Sequence, residues 1–510
     1  MSFIQRLPPE IIAQIFNECL PDRFDQFGSP RPGLRDSDAP LVLTRVCSSW
    51  RAIALECPFL WSRLSVSDKV MSPKLLRKIR AWYKFSNYRP VMDVSLVEMT
   101  SSWNNNSGIN REDFWKDLLQ VTLLDYPEAI QSLNMNVHDV YKRTSFFEIP
   151  NQHLPNLRTL QLHLGNPTPQ ITVFAMTPKL RRVCLNFLNP DFLPDDPEAI
   201  ILPWAQLTHL LILVDPIAPI TLATAIHRCP DLEVLSILID PDAEVPHRSH
   251  TGRVVAPKLS KLILRVCQDP PANLSIFDQV ILPALSCLII KDDEESHDAS
   301  SFHWTQETSH FYDQIHQLRM LSLEGPMINL TGTMLCEVLQ HTPLLEVLEL
   351  DVVVLGFTTL LQRLTHDDNP DRRPRDNTIL DKPLAPLLHS FSLHFDVKLC
   401  DEDNADEALA IINSPANFNA HLTAMIFSRR PLSHFPGNAS RDEDNAVKTP
   451  AVADLGAVRL HGRGLSVLDL PDLSAQVDAI RWDGLHFVLQ ETYLHDFGYY
   501  FWTDNELREW

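Results

Sequence analysis

The 510-residue chain (58.2 kDa) carries a formal net charge of −21 and an isoelectric point near 5.3. That sign argues against binding to a nucleic-acid backbone, and 45 % hydrophobic with 21 % charged residues excludes a chain that is disordered throughout. No apolar run approaches the roughly 18 residues of a membrane span. The first residues, Met1 to Arg6, lack a basic region followed by an apolar core, so no secretory leader is expected. The 9 cysteines are scattered and never form a Cys-x-x-Cys pair, which points to reduced thiols and a cytoplasmic or nuclear protein. Prolines number 39 and glycines 14, where an average chain of this length has about 25 and about 36. The chain is therefore punctuated often and offers little material for Gly-rich phosphate loops.

The first predicted element is a helix over residues 7–20. Apolar residues at Leu7, Ile11, Ile12, Ile15, Phe16, Cys19 and Leu20 make one stripe. Pro8 and Pro9 suit its first turn, and Glu10 complements its positive end. Asp38 is a candidate cap for a second helix through Leu41, Val42 and Val46. Ser48 or Ser49 is a candidate cap for a third through Trp50, Ile53 and Leu55, stopped by Pro58. Three short helices in residues 1–65 make a small module that gains from docking on something else.

From there the template apolar-x-x-apolar-x-apolar recurs. Strict copies begin at Leu157, Leu180, Leu207, Leu232, Leu259, Leu285, Leu318, Leu345, Leu388 and Leu422. A looser copy is Leu465/Leu468/Leu470, and possible earlier ones are Trp61/Leu64/Val66, Val91/Val94/Leu96 and Ile130/Leu133/Met135. In 7 of the 10 strict copies a proline stands two residues before the first apolar position: Pro155, Pro178, Pro230, Pro257, Pro283, Pro343 and Pro386. Chance would place fewer than one, given 39 prolines in 510 residues. Proline lacks an N–H and biases its predecessor to extended geometry, so each copy reads as helix or loop, proline, short strand. Helical stretches are expected at Thr221–Arg228 and Thr333–His341, just before two of the prolines. Polar segments near 292–301, 367–381 and 438–450 read as solvated insertions. The aromatic, acidic end, 476–510, reads as a cap on the last copy.

Units of 23 to 27 residues resemble the leucine-rich repeat family, whose strands stack into a curved parallel sheet. The resemblance covers roughly 150–430 and extends within 66–475. The family's Asn or Cys after the last strand leucine occurs strictly only at Cys267, so the repeats are degenerate. In such a stack the residues between strand leucines face the concave side. Candidate target-binding residues there are Arg182, His209, Leu211, Leu213, Leu238, Lys261, Ile263, Arg265, Lys291, Glu324, Glu349 and Asp351. Their charge runs from basic and apolar to acidic, and the apolar members are either a binding patch or covered by a neighbouring segment.

The N-terminal blocks Leu7-Pro8-Pro9-Glu10-Ile11-x-x-x-Ile15-Phe16, Val46-Cys47-Ser48-Ser49-Trp50-Arg51-x-Ile53-Ala54 and Pro58-x-Leu60-Trp61 resemble an F-box. The order F-box then leucine-rich repeats resembles the F-box-like proteins of mushroom-forming fungi. The segment Pro21–Ala39 is longer than the family usually has. The resemblance implies an α/β architecture: a three-helix F-box followed by a leucine-rich-repeat-like solenoid with a curved parallel β-sheet. It implies a substrate-recruiting adaptor of a Skp–cullin–F-box ubiquitin ligase, in which Leu7, Pro8, Ile11, Ile12, Ile15, Phe16, Val46 and Trp50 contact the Skp adaptor and the solenoid holds the target protein. The alternative is an interaction scaffold with no ligase role. No catalytic motif of the HExxH, GxSxG or Walker type is present. The histidines near Asp292–Glu295 have no fixed ligand spacing, so neither an enzyme activity, a cofactor nor a metal is expected.

Overall fold

The computed structural model describes residues 7–20, 34, 39–67, 73–87, 92–97, 111–137, 154–164, 171–187, 201–217, 219–239, 253–266, 277, 280–292, 302–303, 309–324, 328–351, 354–355, 357–365, 384–396, 415–429, 455–463 and 486–491. These fall into two compact units, one up to Asp215 and one from Pro216 onward. The division lies inside the 66–475 span, and the N-terminal helices belong to the first unit.

The first unit opens with α1 (Pro9–Glu18), α2 (Leu43–Val46) and α3 (Ser48–Glu56), then β1 (Arg63–Ser67), α4 (Pro73–Phe85), β2 (Met92–Val97) and α5 (Arg111–Leu119). It continues with β3 (Ile130–Val137), β4 (Thr159–Leu164), β5 (Arg182–Phe187) and β6 (His209–Ile217). All neighbouring pairs from β1 to β6 are parallel and follow chain order.

The second unit contains α6 (Pro219–Arg228), β7 (Val234–Ile239), β8 (Val254–Val255), β9 (Lys261–Val266), β10 (Val280–Ile281), β11 (Cys287–Asp292) and β12 (Phe302–His303). There follow α7 (Ser309–Gln314), β13 (Met320–Glu324), β14 (Ile328–Thr331), α8 (Gly332–Gln340), β15 (Val347–Asp351), β16 (Val354–Leu355) and α9 (Phe357–Leu364). Its last elements are β17 (Ser390–Asp396), α10 (Pro415–Ser428), β18 (Ala457–Arg463) and β19 (His486–Glu491). The main sheet runs β7-β9-β11-β13-β15-β17-β18-β19, again parallel. Short ladders β8–β10 and β12–β14–β16 form from the connecting segments. The architecture is thus α/β, with parallel strands joined by crossovers.

Nine of the ten strict template copies become strands, and the three apolar positions of each are at most 3 % exposed. The earlier copies at Leu64/Val66, Val94/Leu96 and Leu133/Met135 are strands too, equally buried. The proline does more than end a helix. In Thr177-Pro178-Lys179-Leu180 the Leu180 N–H donates to the Thr177 carbonyl, and the same i to i+3 bond closes at Leu157, Leu232, Leu285, Leu345 and Leu388. The proline sits at the second position of a β-turn, where its fixed φ is wanted. Within each unit a second bond set locks successive copies to one another. The Arg181 carbonyl accepts from both Thr208 and His209, at 2.9 and 3.0 Å. The carbonyls of Glu233, Ser260, Ser286, Arg319, Glu346 and His389 each take two successive N–H groups in the same way.

The tenth copy departs from expectation. Leu422, Met425 and Phe427 lie in α10, a helix, not a strand. Leu422, Met425 and Ile426 are spaced i, i+3, i+4, and Leu422 with Met425 and Ile426 is buried on one helical stripe. Pro415 at its start favours that outcome, being well placed in a first turn. The next strand is β18, built on Leu455/Val458/Leu460, an unrecognised copy of the template. The third helix is also capped differently: the Cys47 Sγ, not Ser48 or Ser49, accepts the Trp50 N–H. Leu465, Leu468 and Leu470, the insertion at 367–381, the insertion at 438–450, Asp38 and nearly all of 476–510 and of 292–301 lie outside the described residues, as does Pro21–Ala39 apart from Leu34 and Ala39.

The helices are pinned by buried polar groups. Arg429, 2 % exposed, ends α10 and donates to the carbonyls of Leu364, Ala385 and Leu384 at 3.0, 2.9 and 2.7 Å. It thereby ties the C-terminal end of α9 to the turn before β17. Burial pulls its guanidinium down to about 10, still protonated at neutral pH.

Leu288→Ala in β11, where the side chain is fully buried, is expected to lower unfolding free energy by about 2–5 kcal/mol in chemical denaturation. Pro230→Ala removes only the preset φ of its turn and is expected to cost less than about 1 kcal/mol.

Candidate functional site

The N-terminal helices present apolar side chains on two sides. Inward, Ile12, Ala13 and Phe16 of α1 are buried, and the Phe16 ring lies 4.9 Å from that of Trp50 on α3. Outward, Ile11 and Ile15, one turn apart on α1, are 40 % and 41 % exposed. Val42 and Val46, one turn apart at the start and end of α2, are exposed as well, Val46 to 56 %. Phe59 joins them, so five of the eight exposed large apolar residues among those described fall between residues 11 and 59. Leu7 is half-buried and Pro8 exposed.

The segment is held firmly. Arg51 Nε donates to the Thr44 carbonyl at 2.7 Å, joining α3 to α2. Trp61 Nε1 donates to the Ala54 carbonyl and Trp82 Nε1 to the Trp61 carbonyl, each at 2.8 Å. The Trp61 and Trp82 rings meet edge to face at 4.9 Å. Of the residues expected to meet a Skp adaptor, Ile11, Ile15, Val46 and Pro8 stand at the surface, whereas Ile12 and Phe16 are core of this chain. Trp50 is half-buried against Phe16. The stripe at 7–20 is wider than one contact face, and sequence alone could not divide it.

The residues between strand leucines share cross-strand rows. In the first unit Arg182 pairs in register with His209, and Cys184 with Leu211. Arg182 and His209 are half-buried and Leu211 is buried. Leu213 is in β6. In the second unit one row is Leu238, Arg265, Lys291, Glu324 and Asp351, and the next is Ser236, Ile263, Ile289, Ser322, Glu349, Ser392 and Arg459. Lys261, half-buried, lies in the third, between Val234 and Cys287. Leu238, Ile263 and Ile289 are buried in the single chain, and Arg265 is 8 % exposed. The apolar members whose side chains are described therefore do not form an open patch.

The polar centre of this face lies on β11, β13, β15 and β18. Lys291 Nζ is 2.8 Å from Glu324 Oε2. Ser322, fully buried, directs its hydroxyl to Glu324 Oε1 at 3.0 Å and Glu349 Oε2 at 3.4 Å. Burial pushes the Glu349 carboxyl above its ordinary range, the neighbouring Glu324 carboxylate adds to the rise, and Arg459, Ser322 and Lys291 oppose it. Ser322 and Arg459 were not singled out from sequence. Arg459 becomes legible once Leu455/Val458/Leu460 is read as a copy, because it occupies the same intervening position as Glu349.

Among the described residues no group of three or more His, Cys, Asp or Glu could hold a metal ion. No described helix is long and apolar enough to cross a membrane. No protein-family model matches this chain, and no curated protein matches it in sequence.

Because the native Glu349 binds its proton more tightly than the unfolded one, its ionisation weighs against folding as pH rises above the ordinary carboxylate range. Glu349→Gln is therefore expected to be at least as stable as wild type at neutral pH. That difference should shrink towards zero as pH falls through the carboxylate range in paired thermal melts.

Proposed function

We propose that this chain is a substrate-recruiting adaptor of a Skp–cullin–F-box ubiquitin ligase, acting in the cytoplasm or nucleus. The observation that carries the reading is the outward pair Ile11/Ile15 with Val42 and Val46, exposed on the segment that bears the F-box-like blocks. Water-exposed apolar side chains one turn apart on fixed helices suit docking against another apolar surface. Leu7, Pro8, Ile11, Ile15 and Val46 meet the Skp adaptor in this reading. Ile12, Phe16 and Trp50 shape the contact from beneath. The repeated strands form a leucine-rich-repeat-like solenoid that holds the target protein near the conjugating machinery. The chain makes no bond itself and contributes effective concentration and orientation.

A second reading is an interaction scaffold with no ligase role, favoured by the packing of Ile12 and Phe16 inside this chain. Co-purification of the full chain with a Skp-type adaptor separates the two. Ile15→Asp and Val46→Asp change exposed side chains and are expected to weaken the complex at least about tenfold while leaving the melting temperature unchanged. A well-folded wild type that binds no adaptor, or both variants binding as wild type does, contradicts the adaptor reading. Phe16→Ala is a poor probe of docking, since removing a fully buried ring costs about 3–5 kcal/mol of stability.

A further inference from the structure

Helix α4 runs Pro73-Lys-Leu-Leu-Arg-Lys-Ile-Arg-Ala-Trp-Tyr-Lys-Phe85 over 13 residues. Its inner side is apolar: Leu75, Ile79, Trp82 and Tyr83 are buried. Its outer side is basic. Lys74, Arg77, Lys78, Arg80 and Lys84 are all exposed and cover roughly 160° of the helix, counting about 100° per residue. The helix contains no acidic residue, in a chain whose net charge is −21.

This arrangement works against the helix itself. Lys74 with Lys78, and Arg80 with Lys84, are like charges four residues apart, and Lys74 with Arg77 and Arg77 with Arg80 are three apart. Such pairs are mutually repulsive. Lys74 also stands in the first turn, at the positive end of the helix dipole. Tertiary anchors offset this cost. Trp82 Nε1 donates to the Trp61 carbonyl at 2.8 Å, and the Tyr83 hydroxyl donates to the Thr122 carbonyl. The cations are thus displayed on a helix fixed to the first unit, with Lys78 reaching the Leu34 carbonyl at 3.3 Å.

From this we propose that the outer face of α4 is a docking surface for an acidic, Asp/Glu-rich segment of a partner polypeptide. It is separate from the apolar face of α1 and α2 and does not depend on the adaptor reading. Charge complementarity selects an anion, and the rest of the surface selects its size. None of the exposed large apolar side chains among the described residues lies on α4, so the face has nothing to insert into a bilayer. It likewise presents no exposed aromatic ring on which bases would stack, since Trp82 and Tyr83 are buried. A long polyanion would also meet the field of a chain carrying −21. A short carboxylate-rich segment senses only charges within about 8 Å at physiological salt, so the exposed cations of α4 itself weigh more on it than the net charge of the whole chain.

The test is fluorescence anisotropy of the full chain, without any adaptor, against a labelled peptide of alternating glutamate and glycine. Its glutamine counterpart, a phosphoserine peptide, phosphatidylserine vesicles and a single-stranded RNA are run beside it. Lys74→Gln/Arg77→Gln/Lys84→Gln removes three exposed cations from α4. Lys179→Gln/Lys258→Gln/Arg319→Gln removes three elsewhere, and thermal melts establish that both fold. The glutamate peptide is expected to bind wild type and the second variant alike, at least about tenfold more weakly to the α4 variant, and not at about 1 M salt. No binding at low salt, or equal binding by the α4 variant, overturns the site. Tighter capture of the phosphopeptide, the vesicles or the RNA than of the glutamate peptide overturns the assigned partner.

Discussion

Within each unit, one carbonyl of a copy recurrently takes two N–H groups from the next. Arg181 bonds Thr208 and His209, Glu233 bonds Ser260 and Lys261, and Glu346 bonds His389 and Ser390. This sets where each strand starts relative to its neighbour. A shift of one residue would turn every buried leucine outward. The proline turn just upstream fixes the direction of approach, and the leucine that closes the turn is the first core residue of its copy. Turn, register and core are therefore one local device, used repeatedly, which is how a chain with only 14 glycines builds so many tight corners.

What could be read from sequence follows from how local that device is. Proline two residues before an apolar position, with alternation after it, is a complete local instruction, and copies that have it fold as expected. The Leu207 and Leu318 copies fold as strands without the proline, so its absence alone does not decide the Leu422 copy. Its first two positions are three apart, a spacing that helices also use, and Pro415 upstream begins a helix instead. Copies marked only by apolar residues, such as Leu455/Val458/Leu460, are hard to tell from the background.

The candidate surfaces were less legible because burial on them depends on other strands. Alternation says that Ile263 and Ile289 oppose the core. It does not say that both side chains are nevertheless buried. The same limit applies to α1, whose apolar residues cover more than one side. Burial separates Ile12 and Phe16, whose ring meets Trp50, from Ile11 and Ile15, which face out. Glu349 and Glu324 share a buried hydroxyl only because β13 and β15 are in register, a relation between residues 25 apart in sequence.

The first unit thus shows two contrasting chemistries on helices anchored around Trp61: exposed aliphatic pairs on α1 and α2, and a run of cations on α4. If the aliphatic pairs are what an adaptor binds, protection from exchange should be confined to them. The most direct measurement is amide hydrogen exchange, read by mass spectrometry, on the full chain with and without a Skp-type adaptor. Docking through α1 and α2 predicts slowed exchange at 9–18 and 42–46, with 157–164 and 390–396 unchanged. Unaltered exchange at 9–18 in a saturated complex, or slowing confined to the strands, would contradict it.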